Sequence, residues 1–100
     1  MNVTGQFTAP TTRKDGTPLA LDDINFFSLT RNGTEIQKLS PTAPVISWTD
    51  DTPLTGSDDY EVFTITKDGF TSDASNDAIV TVVAANPASA VTDLTATFNP

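Results

Sequence analysis

Carboxylates are the side chains that offer the most chemistry in this sequence, and they come in adjacent pairs: Asp22-Asp23, Asp50-Asp51 and Asp58-Asp59. Asp50, Asp51, Asp58 and Asp59 flank one turn, and Ca²⁺ is held by hard oxygen ligands of this type. The sequence has no EF-hand loop and no repeated Ca²⁺ signature, so these aspartates are expected to be solvated acidic loops. A glycosidase built on paired carboxylates needs one carboxyl with a raised pKa in a shaped cleft. Polar loops on so small a domain do not offer that. His and Cys are both absent, which removes Ser-His-Asp and Cys-His nucleophile arrangements, disulfides and the commonest transition-metal ligands. No Gly-rich phosphate loop followed by Lys-Ser/Thr occurs, and Asp68-Gly69 with Asp73 forms only a turn cluster. The sequence therefore nominates no catalytic, cofactor-binding or metal-ligating residue, and an enzyme is not expected.

The chain has 100 residues and a formal net charge of -8. That length suits one domain, with a single core of modest surplus stability. The five cationic side chains are Arg13, Lys14, Arg31, Lys38 and Lys67. They give no basic footprint for nucleic acid, and an anionic membrane surface is disfavoured for the same reason. No apolar run approaches the roughly 18 residues that a spanning helix needs. Met1-Asn2-Val3-Thr4-Gly5 has neither a basic nor an apolar leader region, so export through a signal peptide is not expected if Met1 is the native start.

The elements that must carry any site read as short strands. Segments rich in Thr, Val, Ile and Phe alternate with Pro, Gly, Asn and Asp, and no helical apolar period is sustained. Asn32-Gly33 predicts a two-residue hairpin between Phe26–Thr30 and Thr34–Leu39. Further strands are expected at Val45–Thr49, Tyr60–Thr66 and Ala78–Ala84, with loops at Thr8–Pro18, Ser40–Pro44, Thr52–Asp59 and Lys67–Asp77. Successive side chains of a strand point to opposite faces. That parity turns Val3, Phe7, Ile24, Phe27, Leu29, Ile46, Trp48, Leu54, Tyr60, Val62, Val80 and Val82 inward. It leaves Phe26, Phe63 and Ile65 outward on neighbouring strands, as an apolar docking surface.

In this order the pieces resemble a fibronectin type III domain of the bacterial and phage type. Val3-Thr-Gly-Gln-Phe7-Thr-Ala-Pro10 resembles the family's second strand, with Phe7 at the usual Trp position. Asp15-Gly16-Thr-Pro18-Leu19 before Asp23-Ile24 resembles the loop into the third strand, and Phe27-Ser-Leu29 stands where Tyr-x-Val is common. Leu54-Thr-Gly-Ser-Asp-Asp-Tyr60 has the spacing of the tyrosine corner, whose hydroxyl satisfies a backbone group at the sheet edge. The resemblance implies an all-β, immunoglobulin-like antiparallel sandwich of about seven strands. No Arg-Gly-Asp occurs, so the family's integrin mode is not indicated.

The family's first strand should precede Val3, where only Met1 and Asn2 stand. Val91-Thr-Asp-Leu94-Thr-Ala96-Thr-Phe98 resembles that strand instead, displaced to the C-terminus. The expected organisation is a sandwich over residues 1–85 and a linker with a strand-like tail over 86–100. The tail is a loose end, a strand of its own sheet, or a strand added to a neighbouring copy. Residues 85–90 span at most about 20 Å, while a return over a strand of about seven residues needs roughly 23 Å. That favours a neighbour, and head-to-tail addition would generate a ring or a filament. Candidate partner-binding residues are thus Phe26, Phe63, Ile65, Val91, Leu94, Ala96 and Phe98. The expected function is a non-enzymatic structural protein: a phage virion component, capsid-decorating or tail, whose partner is a copy of itself or a virion or cell-surface protein. The alternative is a spacer or adhesion module from a larger secreted bacterial surface protein or polysaccharide-degrading enzyme. Either places the chain in a virion or at an extracellular surface, with no nucleic acid, membrane insertion or cofactor.

Overall fold

A computed structural model describes residues 1–83 and 88–100. Among the described residues six strands follow in order: β1 Val3–Thr8, β2 Ile24–Arg31, β3 Thr34–Leu39, β4 Val45–Asp50, β5 Gly56–Thr66 and β6 Ala78–Val82. A single 3₁₀ turn, Leu21–Asp23, leads into β2. All pairings are antiparallel, in a two-stranded sheet β1-β4 and a four-stranded sheet β3-β2-β5-β6. The chain is therefore all-β, and the two sheets face each other across a shared core.

Two clusters make up that core. Ala9, Leu19, Ile24, Phe27 and Ile46 form one, with Phe7 packed against it. Val3, Leu29, Tyr60 and Val82 form the other, with Trp48, Val62 and Val80 alongside. The Phe7 and Phe27 rings meet edge to face at 4.9 Å, and Trp48 and Tyr60 at the same separation. The inward parity holds for all of these positions. Leu54 is the exception, at 52% exposed.

Leu54 faces water because the β4–β5 connection is tied to polar groups. Asp50 Oδ1 accepts the Thr52 N–H at 3.1 Å, and Arg31 donates to the Thr52 carbonyl at 2.9 Å. The Tyr60 hydroxyl donates to the Asp50 carboxylate at 2.7 Å, where the tyrosine-corner spacing implied a backbone acceptor.

The hairpin is as the sequence predicts. Asn32 and Gly33 both have positive φ, 53° and 84°, the conformation that matches the twist of the flanking strands. β5 begins earlier than expected, at Gly56, because Gly56–Tyr60 pairs with Val82–Ala78. Gly, Ser and Asp are poor strand formers, and ladder formation with apolar β6 overrides that preference. Asp58 and Asp59 therefore lie in a strand and not in a solvated loop. Asp58 is buried, at 1% exposed, and so is Asp50, at 3%.

The expected last strand end at Ala84, the domain boundary at 85/86, and Asn86 and Pro87 of the linker lie outside the described residues. Residues 88–100 are described without strand structure, although a strand was expected at Val91–Phe98.

Candidate interaction site

The polar groups come first, because they decide whether the chain holds a reactive centre. Asp50 is gripped by Tyr60 and by Arg31 Nη1, whose ion pair with it is 2.8 Å long. Burial alone would raise the Asp50 pKa. The hydrogen bonds from Tyr60, Arg31 and the Thr52 N–H outweigh it, and the carboxyl sits below its ordinary value. The same burial, with the bond to Asp50, pushes the Tyr60 phenol well above its ordinary value. The Thr52 backbone completes the group, its N–H donating to Asp50 and its carbonyl accepting from Arg31. It is a structural tie between β2, β4 and β5.

Asp58 points the other way from Asp59, as neighbours in a strand must. Its Oδ1 accepts from Asn32 Nδ2 at 3.2 Å, while Oδ2 is buried without a hydrogen-bond partner. The aspartates first read as flanking one turn are thus divided between buried and exposed settings, with Asp50 and Asp58 buried and Asp51 exposed. Asp50 is neutralised by Arg31, and Asp58 and Asp59 serve opposite faces. Acidic groups do converge elsewhere. One carboxylate oxygen each from Asp59, Glu61 and Asp77 lie within 4.8 Å of one another. Desolvation, with repulsion from Asp77, raises the pKa of both Asp59 and Glu61.

The outer face of the four-stranded sheet carries the predicted apolar group. Phe26 is directly opposite Ile65, and Phe63 is opposite Ser28. All three apolar side chains are half-buried, which reflects their mutual cover and the Lys38 ammonium over the Phe26 ring at 4.8 Å. A hollow of about 800 Å³ lies between the loop at Pro10–Leu19 and the turn at Thr66–Asp73. The ion pairs Arg13–Asp68, 3.4 Å, and Lys14–Asp73, 3.0 Å, cross it.

The most distinctive feature is an open edge. Ala9 N–H donates across to the Pro44 carbonyl, and in a strand every second residue turns its backbone groups the same way. Val3, Gly5 and Phe7 therefore bond toward β4. Thr4, Gln6 and Thr8 turn their N–H and C=O groups to the opposite side, where no described strand pairs with them.

Other edges are partly covered. On β4, Gln37 Nε2 donates to the Thr49 carbonyl at 2.6 Å. On β5, the Val62 and Thr64 carbonyls accept the Ser75 and Ser72 N–H groups, and the hydroxyls of the same serines accept the Val62 and Thr64 N–H groups. Beside the free edge of β1 runs a groove of about 580 Å³, lined among others by Val3, Gly5, Phe7, Trp48, Val62 and Val80. A Cβ on Gly5 would stand 2.4 Å from the Trp48 ring, so the indole lies directly over Gly5 and floors the groove.

No family model, curated protein or solved structure matches the chain. Function must therefore be argued from its own surfaces.

The tail is the last of these. Val91, Leu94 and Phe98 are 77%, 89% and 86% exposed, and Ala96 is exposed as well. The structure brings Phe26, Phe63 and Ile65 together and leaves the four tail residues facing solvent. Sequence reasoning did not find the groove over Gly5 or the Arg31–Asp50–Tyr60 tie. An unexplained glycine opposite the single tryptophan was the available signal for the first. The second joins residues far apart in sequence and left none.

Proposed function

We propose that this chain is a non-enzymatic structural and interaction module of the fibronectin type III kind, acting as a small phage virion component, capsid-decorating or tail. It assembles with a protein partner, foremost copies of itself, through its C-terminal segment and the outer face of its larger sheet. The strand order supports the family reading. A β3-β2-β5-β6 sheet facing β1-β4 is compatible with an immunoglobulin-like sandwich lacking its first strand. One observation carries the functional reading: among the described residues, a strand edge without a partner and an apolar tail without cover occur in the same chain. Exposed apolar residues and open edges both favour association. Asp50, Tyr60 and Arg31 bond to one another, and the sequence has neither His nor Cys, which favours binding over catalysis.

The experiment is deletion of Val91–Pro100 with mass measured by light scattering. The tail adds no residue to either core cluster, so the truncated chain should fold, and it should lose the assembly that the full chain forms. An assembly state unchanged by the deletion overturns the reading.

A second reading has its own observation, the likeness of Val91–Phe98 to the first strand of a following domain. It makes the chain a spacer or adhesion module of a larger secreted bacterial surface protein or polysaccharide-degrading enzyme. The neighbouring reading frame separates the two: a stop codon after Pro100 favours the virion component, and continuing β repeats favour the module.

A further inference from the structure

We infer that the free edge of β1 is an acceptor site for the tail of a second copy of this chain. Asp93–Phe98 of the donor lies antiparallel to Val3–Thr8, with Phe98, Ala96 and Leu94 turned into the groove opposite Val3, Gly5 and Phe7. This rests on the reading that the chain assembles through its C-terminal segment, and it adds the site, the occupant and the register.

The backbone argument comes first. Thr4, Gln6 and Thr8 present donors and acceptors along one line that no described residue pairs with. Natural edges are commonly blunted with charge or proline. Edge strand β3 carries Glu35 and Lys38, whereas β1, Val-Thr-Gly-Gln-Phe-Thr, has neither a charge nor a proline. A two-stranded sheet is also a marginal element, and three strands with one apolar face are the usual minimum. β6 flanks the same groove, but it already belongs to the four-stranded sheet. A strand added to β1 completes the smaller sheet and roofs the groove in one step.

Side chains fix the occupant and the register. Leu94, Ala96 and Phe98 fall at alternate positions, so an extended tail shows all three on one face. Opposite residues of an antiparallel pair share a face. Ala96, the small one, then meets Gly5, where the Trp48 ring already fills the space, while Leu94 and Phe98 reach the open groove on either side. A shift by one residue would put Asp93, Thr95 and Thr97 inside instead. Charge agrees with this pairing. Asp93 is the one charged side chain in Val91–Phe98, so the tail reaches the surface of an acidic protein with little repulsion of its own. The chain's own tail does not occupy the site: none of it pairs with β1, and its apolar residues face solvent.

In this register Gln6 and Thr95 are opposite each other, on the solvent side of the sheet. Their Cα atoms would be about 5.5 Å apart, inside the roughly 4.4–6.8 Å range that a disulfide bridges. The chain has no native Cys. Full-length Gln6→Cys and Thr95→Cys variants, mixed under mild oxidation, should give a disulfide-linked heterodimer severalfold more abundantly than either variant alone. The yield should also exceed that of Gln6→Cys mixed with Thr97→Cys, which displaces the thiol by two positions.

An assembled full-length chain that gives no cross-link in the mixture overturns the acceptor site while leaving tail-driven assembly intact. Equal or greater cross-linking by Thr97→Cys overturns the register. The Gln6→Cys/Thr95→Cys double variant should form intermolecular ladders at concentrations where the chain assembles. An internal disulfide in their place would show a copy filling its own groove, and overturns donation. A full-length chain that stays monomeric at every concentration fails the assembly reading itself, a separate result from any of these.

Discussion

Asp50 is almost fully buried yet stays ionised, because the Tyr60 hydroxyl, the Arg31 guanidinium and the Thr52 N–H all donate to it. A buried carboxylate that lost a donor would keep its desolvation penalty and forfeit part of the compensation. Tyr60→Phe keeps the ring against Trp48 and removes only the hydroxyl, so it should cost about 1.5–3 kcal/mol in urea unfolding at pH 7. The pH dependence has a definite sign. The folded Asp50 pKa is depressed, so its contribution is complete above the ordinary aspartate value of about 3.9. It is lost as pH falls through the lower folded value. The gap between wild type and Tyr60→Phe should therefore be full at neutral pH and should close in acid. A gap that persisted unchanged to about pH 2 would mean that the hydroxyl stabilises by packing and not through the ionised carboxylate.

β1 and β4 hold together by a ladder in which Gly5 is opposite Trp48, and the glycine is required there by space rather than by backbone angle. Gly5→Ala puts a methyl group 2.4 Å from the indole, and a rigid ring can yield only by moving as a whole. The expected cost is about 1–3 kcal/mol, as for other overpacked sites. Because the chain has one tryptophan, displacement should appear as a red shift and greater quenching of its fluorescence. An unchanged spectrum would place Trp48 elsewhere and remove the floor of the groove. Much at this level was legible in the sequence. Asn32-Gly33 announced its hairpin, β3 has the predicted bounds, and alternation found the core from Val3 to Val82. What was not legible depends on partners distant in sequence. Gly56–Asp59 read as a turn because its composition is polar, and only the ladder with β6 makes it a strand. Leu54 read as core from strand parity, but it lies in the β4–β5 connection, where strand alternation does not hold. The likeness of Val91–Phe98 to a first strand rested on the order of motifs, whereas the groove beside β1 needed the placement of Trp48 over Gly5.

Thirteen acidic residues stand against five basic ones, for a net charge of -8, so whole copies repel one another, and neither strand of the proposed contact carries a basic residue to offset that. β1 carries no charge and the tail strand carries Asp93 alone, whereas Glu61 and Asp73 line the groove. Repulsion between whole molecules is long-ranged at low salt, with a Debye length of about 30 Å at 0.01 M, and short-ranged at 0.15 M, where it is about 8 Å. Strand addition driven by backbone hydrogen bonds and apolar side chains gains from that screening and loses nothing to it. Association measured by sedimentation or light scattering should therefore strengthen as salt rises from about 0.01 to 0.15 M. It should strengthen again as pH is lowered toward the sequence pI of about 4.1, where net repulsion fades. Contacts made through ion pairs would behave in the opposite way, because salt screens attraction as readily as repulsion. If added salt dissociated the assembly, charged groups such as Lys38 on the outer sheet face would be holding the copies together, and the neutral edge of β1 would not.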